Sequence, residues 1–199
     1  MNSTEQKNRG QDVKGWNAQW ENLSPGKEIR KWDYFSLRPW IMKYAPRYGR
    51  VIEAGCGTGR YVFYLSALGI DIEGIDFSVP TIDYLNEWGK RHNFSAKFIA
   101  GDVTKLPYED NSLSGYISLG VVEHFIEGPQ KPLAEAYRVL RPGGTAIITT
   151  PSISWLVAAR NLKVKAKNMI KRLIGRKIAV PEFFQYEYRP RKLKKLVSA

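Results

Sequence analysis

The chain has 199 residues, 43% of them hydrophobic, and a formal net charge of +12. That length and apolar content favour one domain with a sizeable buried core. The single cysteine, Cys56, excludes an intrachain disulfide framework and fits a reducing compartment.

Residues 1–12 are polar and without periodicity, and are expected to be disordered. They contain no apolar signal core, and no run approaches the ~18 apolar residues needed to cross a bilayer. A cytoplasmic protein is therefore expected. From Trp16 to Tyr44 the pattern is helical and aromatic-rich, with Trp16, Trp20, Trp32, Tyr34, Phe35 and Trp40. Residues 1–45 read as an N-terminal extension.

Residues 51–60, Val-Ile-Glu-Ala-Gly-Cys-Gly-Thr-Gly-Arg, read as a strand entering a tight turn that opens a helix. Glycines suit a backbone that must turn sharply and approach a ligand where a Cβ would collide. Nucleotide-type cofactors settle beside the free N–H groups at such a helix start. A dinucleotide fingerprint would place its third glycine at position 60, which is Arg60. A nucleotide-cofactor oxidoreductase is thereby disfavoured.

Further strands follow at Asp71–Ser78, Ala96–Val103, Ser114–Gly120 and Thr145–Thr150, with helices near 59–68, 79–91 and 129–140. Leu140-Arg-Pro-Gly143-Gly144 reads as the end of the last helix. This alternation implies right-handed βαβ crossovers and a mainly parallel, Rossmann-like α/β sheet with helices on both faces. Asp76 ends the second strand about 20 residues after the first glycine, where an acid can accept hydrogen bonds from ribose hydroxyls. Phe77 is placed to lie against a purine ring.

Glu53-x-Gly55-x-Gly57-x-Gly59, Asp76, Asp102 and Leu140-Arg-Pro-Gly-Gly occur in the order of the class I S-adenosylmethionine (SAM) dependent methyltransferases. The stretch 50–151 resembles that family, closest to the type 11-like branch that includes quinone-biosynthesis enzymes. The resemblance implies a SAM-binding core at 46–151, with cofactor contacts from Glu53, Gly55, Cys56, Gly57, Gly59, Asp76, Phe77, Asp102, Val103 and Leu119. Asp102 would receive the adenine amino group, and Cys56 would serve as a small side chain in the turn. No metal site is expected.

The resemblance also implies methyl transfer to a small-molecule or amphiphilic acceptor by in-line displacement. His124, after the fourth strand, is the candidate general base, since imidazole titrates near neutrality; shaping the cofactor pocket is the alternative role. The Leu119-Gly-Val-Val-Glu-His-Phe125 sequence lacks the Asn/Asp-Pro-Pro-aromatic motif of enzymes that methylate nucleic-acid bases, so nucleic acid is disfavoured. The N-terminal aromatics would either wall the acceptor pocket, as such extensions do in the family, or cover a sheet edge. An alternative function is a catalytically inactive SAM-binding adaptor.

Residues 152–199 carry the charge. Residues 1–150 hold 18 Lys and Arg against 17 acids, whereas 151–199 hold 13 against Glu182 and Glu187 alone. Between 155 and 178 apolar residues recur at helical spacing among eight basic residues and no acid. A soluble lid over the acceptor site, contact with an anionic membrane surface and nucleic-acid binding are all readings of such a helix. The chain ends in a helix-like Tyr188–Ala199 stretch, without the last two strands of the family's usual seven. A truncated chain is one expectation, and the other is a strand at 145–150 whose bare edge self-associates or is covered by 176–190.

Overall fold

The computed structural model describes residues 15, 24–31, 36–152, 162 and 185–197. The first twelve residues, five of the six N-terminal aromatics and, apart from Leu162, the 155–178 segment lie outside them. Two short helices, α1 (Pro25–Arg30) and α2 (Arg38–Tyr44), precede the sheet. Then follow β1 (Val51–Ala54), α3 (Arg60–Ala67), β2 (Ile72–Asp76), α4 (Val79–Arg91) and β3 (Lys97–Ala100). The second half holds β4 (Leu113–Leu119), a 3-10 turn at Val122–His124, α5 (Gln130–Val139), β5 (Leu140–Thr149) and α6 (Pro190–Val197).

The five strands are all parallel, in the order β3-β2-β1-β4-β5. The chain moves outward from β1 through β2 to β3, then returns to place β4 on the other side of β1. That reversal leaves a crevice at the carboxyl ends of β1 and β4, where open α/β sheets bind ligands.

Strand residues alternate between two apolar layers, as a pleated sheet covered on both faces requires. Val51, Ile72, Phe98 and Ile117 pack with Phe63 and Leu65 of α3 and Ile82 and Leu85 of α4. Ile52, Ala54, Ile75 and Tyr116 pack with Ala136 and Val139 of α5. Fully buried Phe63 stands within 5.0 Å, centroid to centroid, of Trp88, Phe94 and Phe98. Helix α4 illustrates the local logic: Pro80 stands in its first turn, Lys90 and Arg91 in its last, and Thr81, Ile82, Leu85 and Gly89 form its buried stripe.

One feature differs from expectation. Leu140 already pairs with Leu113, so β5 begins five residues earlier than the apolar Thr145–Thr150 run suggests. A register irregularity between Leu113 and Gly115, with Gly143 at φ 77°, lets the expected helix stop run into the strand. The C-terminal segment also returns to the sheet. Tyr188 N–H donates to Pro151 O at 3.1 Å, and Tyr188 bridges Ser152 in parallel sense just beyond β5. Along Leu140–Thr149 itself, β5 has no second strand neighbour among the described residues.

Arg138 on α5 fastens the loop that follows β3. Its guanidinium donates to Tyr108 O at 2.8 Å, Leu106 O at 3.1 Å, Asp110 at 2.8 Å and Glu135 at 2.8 Å. Glu135 in turn accepts the Leu106 N–H at 2.8 Å. Arg138→Ala leaves two carbonyls and two carboxylates without this donor. An expected loss of about 1–3 kcal/mol is read from denaturant unfolding, with amides 106–111 losing exchange protection.

Candidate functional site

A cavity of about 380 Å³ opens at the carboxyl ends of β1, β2 and β4, at the strand-order reversal. Small-molecule sites run from roughly 300 to 1,000 Å³. Glu53, Gly55, Cys56 and Gly57 line it from β1 and its turn, and Asp76 and Phe77 from the end of β2. Val103 contributes from beyond β3, with Leu119, Glu123 and His124 from the end of β4 and its 3-10 turn.

The turn after β1 is held by the end of β2. Gly57 N–H donates to Asp76 Oδ2 at 3.0 Å, and Ser78 N–H donates to Oδ1 at 3.1 Å. Gly55 has φ 78°, and a Cβ there would stand 2.5 Å from Val121 Cγ2, so only glycine permits this approach. Gly59 caps α3 at φ 68° and is not a lining residue. A Cβ on it would lie 2.7 Å from the Phe98 ring, so it lets helix and sheet pack closely.

Asp102 also stands outside the lining set, although its neighbours Gly101 and Val103 belong to it. Its Oδ1 accepts hydrogen bonds from Thr104 N–H at 2.8 Å and Thr104 Oγ1 at 2.9 Å. The remaining cofactor residues expected from the sequence come together in one cavity, as does His124. Tyr61, Val121, Phe125 and Gln185 were not anticipated. Tyr61 directly follows the glycine turn, whereas nothing local marks Gln185, which tertiary folding returns from far along the chain. Tyr186 anchors that return, with its N–H on Glu123 O at 2.8 Å and its hydroxyl on Ile126 O at 2.7 Å.

Two buried carboxylates dominate the electrostatics. Glu53 is 2% exposed and its Oε2 has no hydrogen-bond partner among the described residues. Burial pushes its carboxyl up to about 8, opposed by Arg60 and reinforced by Asp76. Glu123 is 1% exposed with an equally unpartnered Oε2, and burial pushes it up to about 7. Arg60 borders the cavity and pairs with Glu28 of α1 at 3.2 Å. Burial raises the Cys56 thiol well above its ordinary range, so it is a small apolar filler rather than a nucleophile.

Residues 52–148 match a family model described as a methyltransferase domain. That segment is similar to a methyltransferase domain. The matched stretch starts in β1 and ends in β5, and so includes the glycine turn, Asp76 and the turn after β4. Demethylmenaquinone methyltransferase of Renibacterium salmoninarum is 37% identical over 100 residues, which are 50% of this chain and 40% of that protein. The same-named protein of Paenarthrobacter aurescens is 36% identical over 114 residues, covering 57% and 43%. The chain thus spans less than half the length of these curated relatives.

The solved structure of a Pyrococcus horikoshii protein superposes with a TM-score of 0.67 at 21% identity, covering 93% of this chain and 88% of that one. A SAM-dependent methyltransferase of Methanosarcina mazei gives 0.64 at 19% identity, covering 82% and 84%. At these identities the likeness establishes the fold.

SAM is the cofactor that the domain implies, and the residues present suit it. The turn offers a backbone cradle that a Cβ at Gly55 would fill. Glu53, which lines the same cavity, adds a buried carboxylate oxygen with no hydrogen-bond partner among the described residues.

Both carboxyls sit above the ordinary glutamate value of 4.5, so the folded state holds their protons longer than the unfolded chain. Their contribution to stability is full below 4.5 and is lost as pH rises through about 7 and then about 8. Thermal melts of the ligand-free protein should show stability falling across that window. Glu53→Gln and Glu123→Gln should each flatten part of the fall.

Proposed function

We propose that this protein transfers a methyl group from SAM to a small-molecule or amphiphilic acceptor. The observation that carries the reading is the Asp76-braced glycine turn beside Glu53, whose Oε2 has no hydrogen-bond partner among the described residues, inside the segment matched by the methyltransferase family. Glu53 holds the cofactor's ammonium end. Asp76, whose two oxygens accept the Gly57 and Ser78 N–H groups, is the acid that receives the ribose hydroxyls. Phe77 and Val103 flank the adenine, with Asp102 as the acid nearest its amino group.

When bound, SAM supplies an electrophilic methyl group, so the protein's main task is to set the acceptor in line at contact distance. Leu119, His124 and Phe125 border the space left for it, and His124 serves to shape this end or to take a proton from the acceptor. Relatives are named for demethylmenaquinone, phosphoethanolamine and a malonyl carrier protein. Acceptors that varied share the cofactor end of the site and differ at the other.

A basic surface adjoins this acceptor end. Arg189, Arg191, Lys192, Lys194 and Lys195 are exposed on and beside α6, a few residues beyond Gln185. No helix among the described residues is long and apolar enough to cross a membrane. With the basic 155–178 segment, this charge supports peripheral contact with anionic lipid and an amphiphilic acceptor drawn from it. The open flank of β5 is the corresponding proposal for self-association. Sedimentation with vesicles should show salt-sensitive binding to anionic lipid, and equal partitioning onto neutral vesicles would remove the membrane contact.

Calorimetry should show binding of SAM and of S-adenosylhomocysteine, and none of NAD. Asp76→Ala removes acceptors worth about 1.5–3 kcal/mol each, so SAM affinity should fall at least about tenfold. The melting temperature should also drop, because Gly57 and Ser78 lose their partner. Unchanged affinity in this variant, or no SAM binding by folded wild type, would overturn the assignment.

A further inference from the structure

Resting on the methyltransferase reading, we infer that Glu123 is the group that recognises the methyl acceptor. Its carboxylate receives a hydrogen bond from an O–H or N–H carried by an otherwise apolar molecule. Glu123 lies in the 3-10 turn that follows β4, and its side chain borders the cavity. One carboxylate oxygen, Oε1, faces Gly120 at the end of β4, where a Cβ would stand 3.6 Å away. The other, Oε2, is wholly buried and has no partner among the described residues.

An uncompensated carboxylate in such a place destabilises a fold, and substitution by an apolar residue of similar size would relieve that. Among the described residues, no hydrogen bond offsets that cost at Oε2. A hydrogen-bond donor brought by a ligand satisfies it.

The surroundings set the class of ligand. Leu119, Val121 and Phe125 present apolar walls beside Glu123, and Gln185 adds an amide from the returning C-terminal segment. His124 borders the same cavity but is already engaged by a neighbour. Glu53 shares the orphaned oxygen, yet it rises from β1 beside the glycine turn, at the cofactor end. An apolar body with one proton-donating group therefore fits the Glu123 end. Tyr186 fixes the recognition geometry by holding the Glu123 carbonyl, which couples the strap at 185–188 to the acceptor end.

The test uses the full chain with S-adenosylhomocysteine and two probes, 1-naphthol and 1-methoxynaphthalene, which differ in one O–H. Wild type should bind 1-naphthol at least about tenfold more tightly, the ratio expected for one hydrogen bond to a charged group. In Glu123→Gln the preference should shrink below about threefold. The melting temperatures of ligand-free Glu123→Gln and Glu123→Leu should equal or exceed that of wild type. Equal affinity of wild type for the two probes, absence of measurable binding included, overturns the inference. So does a preference retained in Glu123→Gln, or a melting temperature lowered in both variants, which would make Glu123 a structural residue. SAM calorimetry on the same samples separates the two levels: SAM binding without probe preference defeats this inference alone, and no SAM binding defeats the methyltransferase reading.

Discussion

The Asp76 carboxylate joins the ends of β1 and β2, and the site depends on that junction. One oxygen takes the Gly57 N–H and the other the Ser78 N–H, so one side chain braces the glycine turn and starts α4. A charge-assisted bond of this kind is stronger than a neutral one and is shielded here from water. The turn is thus set before any ligand arrives. Gly55 can then approach Val121, which fixes the distance between the β1 turn and the segment that follows β4. Cofactor end and acceptor end are located relative to one another by these contacts.

Around this junction the chain holds groups that its own packing leaves unsatisfied. Glu53 and Glu123 are both buried, both above their ordinary titration range, and both have an oxygen without a partner among the described residues. The buried Tyr116 and Ser118 hydroxyls also lack a hydrogen-bond partner among the described residues, whereas other polar groups are tied in, as in the Arg138 clasp and the Asn86 side chain, which both gives and takes a hydrogen bond with the Phe98 backbone. Of these four unpartnered groups, the two carboxylates belong to residues that line the cavity. Strain and unmet polar demand collect at functional sites because ligand binding relieves them.

The C-terminal return adds a second layer. Tyr186 and Tyr188 attach to the Glu123 carbonyl, the Ile126 carbonyl and Pro151, so residues near 186 close over a site built mainly by residues 53–125. The same return brings the basic residues of α6 near that end of the sheet. On the proposed function, recognition of an acceptor and attraction to an anionic surface would be neighbouring properties of one face.

The sequence by itself determined the sheet, the order of its strands' appearance and much of the cavity lining. Apolar runs ending in acids, glycines at alternate positions and helical stripes between them are local patterns, and locally patterned segments fold as their period dictates. Helix α4 spans the anticipated residues, and Glu53, Gly55, Gly57 and Asp76 meet in one cavity because each sits at or just beyond the end of an identifiable strand. The early start of β5 was not legible, since Pro142 and two glycines read as a stop until pairing with β4 carries the chain through. Three further matters rested with the tertiary structure alone. It decided that Gly59 serves packing against Phe98, that Gln185 joins the cavity, and that Glu123 is buried without a partner. Each depends on contacts between segments distant in the chain, and neither period nor spacing encodes what a side chain will meet across the fold.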